Sequence, residues 1–292
     1  MACPPIEANP INAGFGAVVT GVDLADLAAQ TSDALLELAH RYAVLVFPGQ
    51  FLSDDEHLAF ARRFGPLERA LNSRSDTRFS RLSSVRSNGD LVTANSMVAR
   101  MLESNMVWHT DSSFKPIPST FSLLSCKEAA TSGGETEFAD LRAAWDALDP
   151  DQQAHLDGRR AVHSYRWSQE QADSADWLSE EDWAALPPVE QPLVRTHPAT
   201  GRRNLYLGRH AVQVVGEDPE ASRRFLAELC DWACQPPRIF AHRWSAGDLV
   251  MWDNRCVAHR GRPFPYGQRR IMVRATVAGA PPPGGDNPWV LD

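Results

Sequence analysis

Three segments of the chain have apolar residues spaced as on one face of a helix. Two of them are "SDALLELAHRY", which begins at Ser32, and "DPEASRRFLAELCDWAC", which has Pro219 at the first helical position. The third, "SDDEHLAFARRFG", begins with Ser53 and has Glu56 three residues later, which is the pattern of a capping box. Gly65 follows the last apolar position of this segment. We therefore predict three helices here.

Other apolar residues fall in short runs bounded by turn residues, which predicts strands. These runs are "AVLVFPG", "TFSLLS", "GETEFAD", "PLVRTH", "RNLYLG", "RIFAHRW", "DLVMWD" and "RIMVRATVAG". They crowd the second half of the chain without regular intervening helices, which disfavours a parallel doubly wound sheet. We expect an α+β, mainly β chain: a jelly-roll barrel, that is, a cupin-like double-stranded β-helix, with helices packed outside.

Composition places the chain among ordinary globular proteins. It has 292 residues, of which 43% are hydrophobic, and no composition shift marks a boundary, so we predict a single domain over residues 1–292. Residues 279–292 are rich in proline and glycine, and we expect a loose tail. Cys230 and Cys234 share a helix face, but no second cysteine pair completes a zinc site, and we expect ordinary core cysteines.

Charge and targeting signals limit the possible partners. A net charge of −8 disfavours nucleic acid and anionic membranes, and no apolar run is long enough to span a bilayer. The N-terminus lacks the layout of a signal peptide, and the five scattered cysteines do not form a disulfide framework. We expect a cytoplasmic homo-oligomer.

Two His-x-Asp pairs occur, and their contexts differ. His155 and Asp157 follow "DPDQQA" and precede Gly158, which indicates a helix end, where positions two apart point to different sides. His109 and Asp111 lie in "MVWHTDSSF", which looks extended, so both side chains point to the same face. Only the pair at His109 and Asp111 is therefore a candidate to bind one metal ion.

A site of two histidines and one carboxylate needs a second imidazole and leaves coordination positions open. His259 is the candidate, in "NRCVAHRGRPFPYG", which we predict to be a loop. On the next predicted strand, Arg270 and Arg274 share a face, and arginines facing a barrel interior need anions. We expect packing or surface roles for the seven other histidines: His40, His57, His155, His163, His197, His210 and His242.

In combination, the motifs "WHTDSSF", "GGETEFADLRAAWDAL" and "GDLVMWDNRCVAHR" resemble the TauD/TfdA family of Fe(II)- and 2-oxoglutarate-dependent dioxygenases. The similarity extends over nearly the whole chain. It implies that His109, Asp111 and His259 are the iron ligands. It also implies that Fe(II), 2-oxoglutarate and O₂ are required, with ascorbate as the reductant in vitro.

The same resemblance assigns roles to four further residues. Arg270, eleven positions after His259, matches the arginine that grips the far carboxylate of 2-oxoglutarate, and Thr136 matches the threonine that assists it. Asn105 matches a polar residue near the substrate, and Arg274 matches the arginine that holds an acidic group of the primary substrate. The alternative for Arg274 is a structural ion pair with a neighbouring acid.

Within the family, "PPVEQPLVRTHPATGRRNLYLGRHA" and "MWDNRCVAHRGR" are most similar to the 2,4-dichlorophenoxyacetate branch. The stretch "RALNSRSDTRF" lacks the histidine usual in taurine-type members, which weakens a taurine assignment. The implied reaction hydroxylates an aryloxyalkanoate, which cleaves to a phenol and glyoxylate or a keto acid, with release of succinate and CO₂. The alternatives are a sulfonate, a sulfate ester or another small carboxylate as substrate, and more remotely a non-catalytic cupin-like binding protein.

Overall fold

The computed structural model describes residues 6–71 and 78–291. These residues contain four β-sheets and eight α-helices. The strands are β1 (Glu7–Asn12), β2 (Phe15–Thr20), β3 (Val44–Phe47), β4 (Ser80–Ser83), β5 (Phe121–Glu128), β6 (Thr136–Asp140), β7 (Arg160–His163), β8 (Val189–Pro192), β9 (Val194–Thr196), β10 (Arg203–Leu205), β11 (Ala211–Val214), β12 (Ile239–His242), β13 (Leu249–Asp253), β14 (Val257–Gly261) and β15 (Ile271–Val277). The helices are α1 (Ala29–Tyr42), α2 (Asp54–Ala61), α3 (Met97–Ser104), α4 (Leu141–Asp146), α5 (Pro150–Leu156), α6 (Tyr165–Glu170), α7 (Glu180–Ala184) and α8 (Pro219–Ala233). The mixed, strand-rich class predicted from the sequence is confirmed.

The largest sheet has seven strands in the order β1-β2-β3-β13-β5-β15-β4. Its pairs are antiparallel except for β2 and β3, which run parallel. Three smaller sheets have the orders β12-β6-β14, β11-β7-β8 and β10-β9. Apart from β1 and β2, which form a hairpin, and β3, which follows them in the sequence, the neighbouring strands of the large sheet are distant in the sequence. Long-range pairing therefore builds most of the architecture.

The large sheet buries apolar residues on both faces. On one face, Met251 and Val273 belong to a buried cluster with Leu35 of α1 and Leu58 of α2. The intervening residues of the same strands, such as Met272, point to the opposite face. There they pack in a second buried cluster with residues of the β12-β6-β14 sheet. This alternation is the period-2 pattern of a strand buried on both sides. The site described below lies where the two sheets meet.

The predicted helices are confirmed. The capping box of α2 is complete: Ser53 Oγ accepts a hydrogen bond from the Glu56 amide (3.2 Å), and Glu56 Oε2 accepts one from the Ser53 amide (2.7 Å). A short 3₁₀ turn continues from α2 to Gly65, which has a φ of 142°. Pro219 opens α8 as predicted. The predicted strands are confirmed as well, with ends that shift by one or a few residues.

One predicted loop is wrong. His259 lies in strand β14, where it pairs with Phe138 of β6. The segment has too few apolar residues to reveal a strand by itself, and its pairing with β6 supplies the missing stabilisation. The other His-x-Asp pair lies at a helix end as predicted, since His155 is in the last turn of α5 and Gly158 follows it with a φ of 76°.

The C-terminal stretch has no helix or regular strand over residues 279–291. Val290 nevertheless forms an isolated β-bridge with Glu68, and the Leu291 amide donates to the Leu67 carbonyl (2.7 Å). Residues 72–77, within "RALNSRSDTRF", lie outside the described residues, as do residues 1–5 and 292 of the predicted domain. Within residues 6–71 and 78–291, no helix has the length and apolar character needed to cross a bilayer.

Candidate active site

The backbone brings His109 and His259 together. The two residues form an isolated antiparallel β-bridge: the His109 amide donates to the His259 carbonyl (3.0 Å), and the His259 amide donates to the His109 carbonyl (2.8 Å). Paired residues of this kind place their side chains on one face, and the two ring centroids are 4.2 Å apart. Asp111 completes the cluster, and one ligand atom from each of the three residues lies within 4.8 Å of the others. The structure thus gathers the three predicted ligands.

Burial prepares both imidazoles to be metal ligands, and a hydrogen bond also sets the tautomer of His109. His109 Nδ1 lies 2.7 Å from the Val107 carbonyl, which only accepts, so Nδ1 carries the proton and Nε2 has a free lone pair. The Nε2 atoms of His109 and His259 lie 3.9 and 3.7 Å from the Asp111 carboxylate oxygens. Burial lowers the pKa of His109 well below its usual value and that of His259 to about 4. Neutral imidazoles are the form that binds metals.

The Asp111 carboxylate is kept ionised by its neighbours. Burial opposes its charge, but the Arg274 guanidinium, followed by the two histidines, lowers the Asp111 pKa well below its usual range. Arg274 Nη1 donates to Asp111 Oδ1 (2.6 Å), and Ser122 Oγ donates to Oδ2 (2.6 Å). Asn254 Nδ2 donates in turn to Ser122 Oγ (2.9 Å). Two neutral imidazoles and one carboxylate form the donor set typical of non-haem iron(II), so the residues present fit this ion.

Arg270 and Thr136 lie in a small cavity (≈ 50 Å³) that is also lined by His109 and His259. Arg270 is buried, and burial lowers its pKa to about 10. Its Nη2 donates to the Gly134 carbonyl (3.0 Å), but among the described residues no carboxylate pairs with it. A buried guanidinium without an acid is costly unless an anion binds there. This arrangement fits the distal carboxylate of 2-oxoglutarate.

A larger cavity (≈ 340 Å³) opens on the other side of the cluster and is lined by His109 and Asp111. Asn105 and Arg274 line both cavities. Six cationic side chains but two carboxylates line the larger cavity, although the chain as a whole is acidic. The cations are Arg69, Arg78, Arg81, Lys115, Arg209 and Arg274. Four aromatic side chains also line it: Phe79, Phe114, Tyr165 and Trp177.

Several residues of this site were not predicted from the sequence. Ser122 and Asn254 hold Asp111, and Arg209 lines the larger cavity beside it. No short motif marks these residues, because long-range strand pairing places them. The one available sequence signal is the glycine that precedes Arg209 in "LGRH". The structure explains this glycine: Gly208 has a φ of 145°, and a Cβ built there would lie 2.9 Å from the His109 Cα. That contact places the loop directly against the metal ligand.

One other group of potential metal ligands occurs among the described residues, formed by His197, Asp253 and Cys256. His197 Nε2 lies 2.9 Å from Asp253 Oδ2, and Arg255 binds both oxygens of the same carboxylate. The carboxylate is thus satisfied by an ion-pair network, which stabilises the fold. Cys230 and Cys234 belong to neither group, and both pack against the apolar cluster around α8.

Comparison with known proteins agrees with this geometry. The family model "Taurine catabolism dioxygenase TauD, TfdA family" matches residues 7–276. A (S)-phenoxypropionate/alpha-ketoglutarate-dioxygenase of Sphingobium herbicidovorans is 41% identical over 95% of this chain and 96% of its own length. An alpha-ketoglutarate-dependent 2,4-dichlorophenoxyacetate dioxygenase of Cupriavidus pinatubonensis is 42% identical over 93% and 97%.

A solved structure is also similar. The crystal structure of AAD-2 in complex with Mn(II) and N-oxalylglycine has a TM-score of 0.87 and 37% identity, and covers 94% of this chain and 99% of its own. The family model covers most of the chain, and the relatives match over nearly their full length. The chain therefore belongs to the TauD/TfdA family of dioxygenases.

Proposed function

We propose that this dioxygenase uses Fe(II), 2-oxoglutarate and O₂ to hydroxylate an aryloxyalkanoate at the carbon beside the ether oxygen. The observation that carries the proposal is the convergence of His109, Asp111 and His259 next to Arg270, a buried arginine without an acid partner among the described residues. The first three residues hold the iron, and Arg270 with Thr136 holds the distal carboxylate of 2-oxoglutarate. Asn105 lies near the substrate.

Thr136 is oriented for this role by a neighbouring indole. Trp244 Nε1 donates to Thr136 Oγ1 (3.0 Å). With one lone pair of the hydroxyl engaged in this way, its proton remains available for an anion. A hydroxyl and a guanidinium lining one small cavity supply the directed donors that a carboxylate needs.

The larger cavity supports an aryloxyalkanoate as the primary substrate. Its aromatic residues suit an aryl ring. Cations outnumber carboxylates in its wall, and although Arg78 and Arg81 pair with Asp55 and Asp54 outside it, this charge suits a carboxylate. Glu68, one of the two carboxylates in its wall, is neutralised by Lys115 (2.8 Å). The relatives described above carry names of phenoxypropionate and dichlorophenoxyacetate dioxygenases.

The product follows from the position of the hydroxyl group. An iron ion held by His109, Asp111 and His259 would supply the oxidation, in which 2-oxoglutarate and O₂ are converted to succinate and CO₂ and the second oxygen atom becomes the substrate hydroxyl. Hydroxylation beside an ether oxygen gives a hemiacetal, which collapses to a phenol and glyoxylate or a keto acid. Arg274 holds the substrate carboxylate at the iron. This arginine pairs with Asp111 (2.6 Å) and lines the cavity beside it.

Finer features of the architecture belong to the same proposal. The seven-stranded sheet and the β12-β6-β14 sheet enclose the site from two sides and would form the walls of a double-stranded β-helix. We also propose one domain over the whole chain, a homo-oligomeric state and a cytoplasmic location.

A succinate-release screen tests the substrate. The purified enzyme with Fe(II), ascorbate and 2-oxoglutarate is offered phenoxyacetate, both enantiomers of 2-phenoxypropionate, taurine and an alkyl sulfate, and phenol formation is measured in parallel. We expect phenol in amounts equal to succinate with the aryloxy acids, and poor turnover of their methyl esters. Preferred turnover of taurine or the alkyl sulfate would replace the substrate class, and equal turnover of acid and ester would remove the role of Arg274.

A further inference from the structure

Arg209 occupies the connection between β10 and β11, directly against the strand that carries a metal ligand. Its amide donates to the Trp108 carbonyl (2.9 Å), next to His109. Gly208 allows this approach, since it has no Cβ to meet the His109 backbone. The Arg209 side chain lines the larger cavity together with Asp111 and Arg274.

The guanidinium of Arg209 is only partly satisfied. One of its amino groups donates to the Ser104 carbonyl at the end of α3. Its Nε is buried and has no hydrogen-bond partner, and across residues 6–71 and 78–291 no carboxylate forms an ion pair with it. Arg274 has the same deficit: one amino group binds Asp111, and its buried Nε is without a partner. Buried charged donors of this kind require an acceptor.

The neighbouring histidine does not supply an alternative donor. Ser168 Oγ donates its single proton to the Tyr165 carbonyl (2.8 Å), so it must accept from His210 Nδ1 (2.8 Å). Nε2 of His210 therefore carries a lone pair. Burial, followed by the charge of Arg209, keeps the pKa of His210 well below its usual value. A neutral imidazole with this tautomer cannot donate to an anion through Nε2, so His210 does not compete with Arg209 for this role.

The two guanidinium groups line one cavity, together with Asp111 and Tyr165. The phenol of Tyr165, which lines its wall, experiences the electrostatic influence of both Arg209 and Arg274. Asp111 interacts electrostatically with each of them as well. An anion in the cavity therefore meets two guanidinium groups that still have N–H groups without hydrogen-bond acceptors.

We propose that Arg209 is a second anion-binding residue of the substrate cavity, and that the carboxylate of the primary substrate binds between Arg209 and Arg274. This inference rests on the proposed function and deepens it. It makes Arg209 a determinant of specificity for acids over neutral molecules of the same shape. The aryl ring then extends from this carboxylate toward the aromatic wall of the cavity.

Arg238 is a matched control that distinguishes anion binding by Arg209 from a purely structural role. Arg238 also donates to carbonyls at a helix C-terminus, namely Ala233 (3.0 Å from Nε) and Trp232, both in α8. It lines neither cavity. If Arg209 only stabilised the end of α3, Arg209→Gln and Arg238→Gln would behave alike, each lowering the melting temperature without changing anion binding.

The test measures binding without turnover. Calorimetry under nitrogen follows phenoxyacetate and neutral phenoxyacetamide binding to enzyme loaded with Fe(II) and 2-oxoglutarate, and melting temperatures are recorded for each metal-free variant. We expect Arg209→Gln to reduce the preference for the acid by about tenfold or more, with unchanged affinity for 2-oxoglutarate. Arg238→Gln keeps the preference, and Arg209→Lys restores part of it.

Two outcomes overturn the proposal: an unchanged acid preference in Arg209→Gln, or a wild type that prefers no acid over its neutral analogue. A second pair of probes, hexyl sulfate and hexanol, distinguishes failure of the Arg209 proposal from failure of the aryloxyalkanoate assignment. If the wild type selects the sulfate rather than phenoxyacetate, the aryloxyalkanoate assignment fails, and Arg209 is judged by the sulfate preference in the same variants.

Discussion

At the scale of single residues, the three metal ligands are held by different kinds of contact. Main-chain hydrogen bonds fix His109 and His259 relative to each other, whereas side chains fix Asp111. Substituting a histidine therefore removes a ligand while leaving the bridge intact. Substituting Asp111 also frees Arg274, so the amide of Asp111→Asn is a gentler change than alanine.

We expect His109→Ala, His259→Ala and Asp111→Asn each to abolish succinate release while remaining folded. Each removes one of three metal donors, and iron affinity should fall with activity. Calorimetric iron titration and circular dichroism separate loss of metal from loss of fold. The other His-x-Asp pair is the control, and substitution of His155 by alanine should leave both readouts unchanged. An essential His155 would contradict the assignment.

Arg270→Ala should weaken 2-oxoglutarate binding by roughly tenfold or more. A charge-assisted hydrogen bond contributes about 1.5–3 kcal/mol, and the buried guanidinium has no other anionic partner among the described residues. The apparent KM for 2-oxoglutarate measures the effect. Arg269→Ala is the neighbouring control, because Arg269 is exposed and pairs with Glu128 (2.9 Å). Equal effects of the two substitutions would refute the role of Arg270.

Candidate site residues could be predicted from the sequence where local spacing marks them. The extended setting of His109 and Asp111, against the helical setting of His155, separated the two pairs. Arg209 and Ser122 have no such local signal, since each reaches the site through strands that pair over a long range. "RNLYLG" indicated a strand, and nothing in it showed that the arginine after its last glycine faces a cavity.

At the scale of elements, the connection between β10 and β11 packs at Gly208 against the backbone of Trp108 and His109. We expect Gly208→Ala to lower both stability and iron affinity, because its φ of 145° is strained for alanine and the new Cβ would lie 2.9 Å from the His109 Cα. The loss in unfolding free energy should be about 2–4 kcal/mol, measured by urea denaturation.

Gly216→Ala provides the control for backbone strain alone. Gly216 also has a positive φ (81°), but a Cβ there meets nothing within 4 Å. This substitution should cost about 1 kcal/mol and leave iron affinity unchanged. If both variants lost iron equally, contact with His109 would not be the cause.

Elements with their own apolar period or cap, such as α2, were predicted closely. Strand β14 was not, because its stability comes from β6, which lies more than 100 residues earlier in the chain. The seven-stranded order likewise could not be predicted, since β13 inserts between β3 and β5. Local patterns identify strands but do not determine their partners.

At the scale of the whole molecule, buried neutral histidines make stability depend on pH. His57 is fully buried, and burial lowers its pKa to about 4 from an unfolded value near 6.5. The unfolded chain therefore binds a proton more readily, and stability present above pH ~6.5 is lost as the pH falls toward 4. His163, with a pKa lowered to about 3 by burial, acts in the same direction.

We expect the unfolding free energy of the metal-free protein to decrease between pH 6.5 and 4, with His57 contributing on the order of 3 kcal/mol. Urea denaturation at pH 7.5, 5.5 and 4.5 measures the slope. His57→Gln should flatten it, because glutamine retains a donor for the Leu123 carbonyl (3.2 Å from His57 Nε2) without binding a proton. Exposed His155 is the control position. Parallel curves for wild type and His57→Gln would contradict the prediction.

The main-chain bridge between His109 and His259 has a consequence for engineering. Backbone pairing sets the spacing of the two imidazoles, so this spacing does not depend on the side chains that line the larger cavity. Part of that wall comes from α3, α6 and residues 69–71, which are outside the paired strands. Arg274 belongs to both parts, since it binds Asp111 and lines the cavity. The segments outside the paired strands can therefore be exchanged in a search for new substrates, while Arg274 and the metal ligands are left untouched.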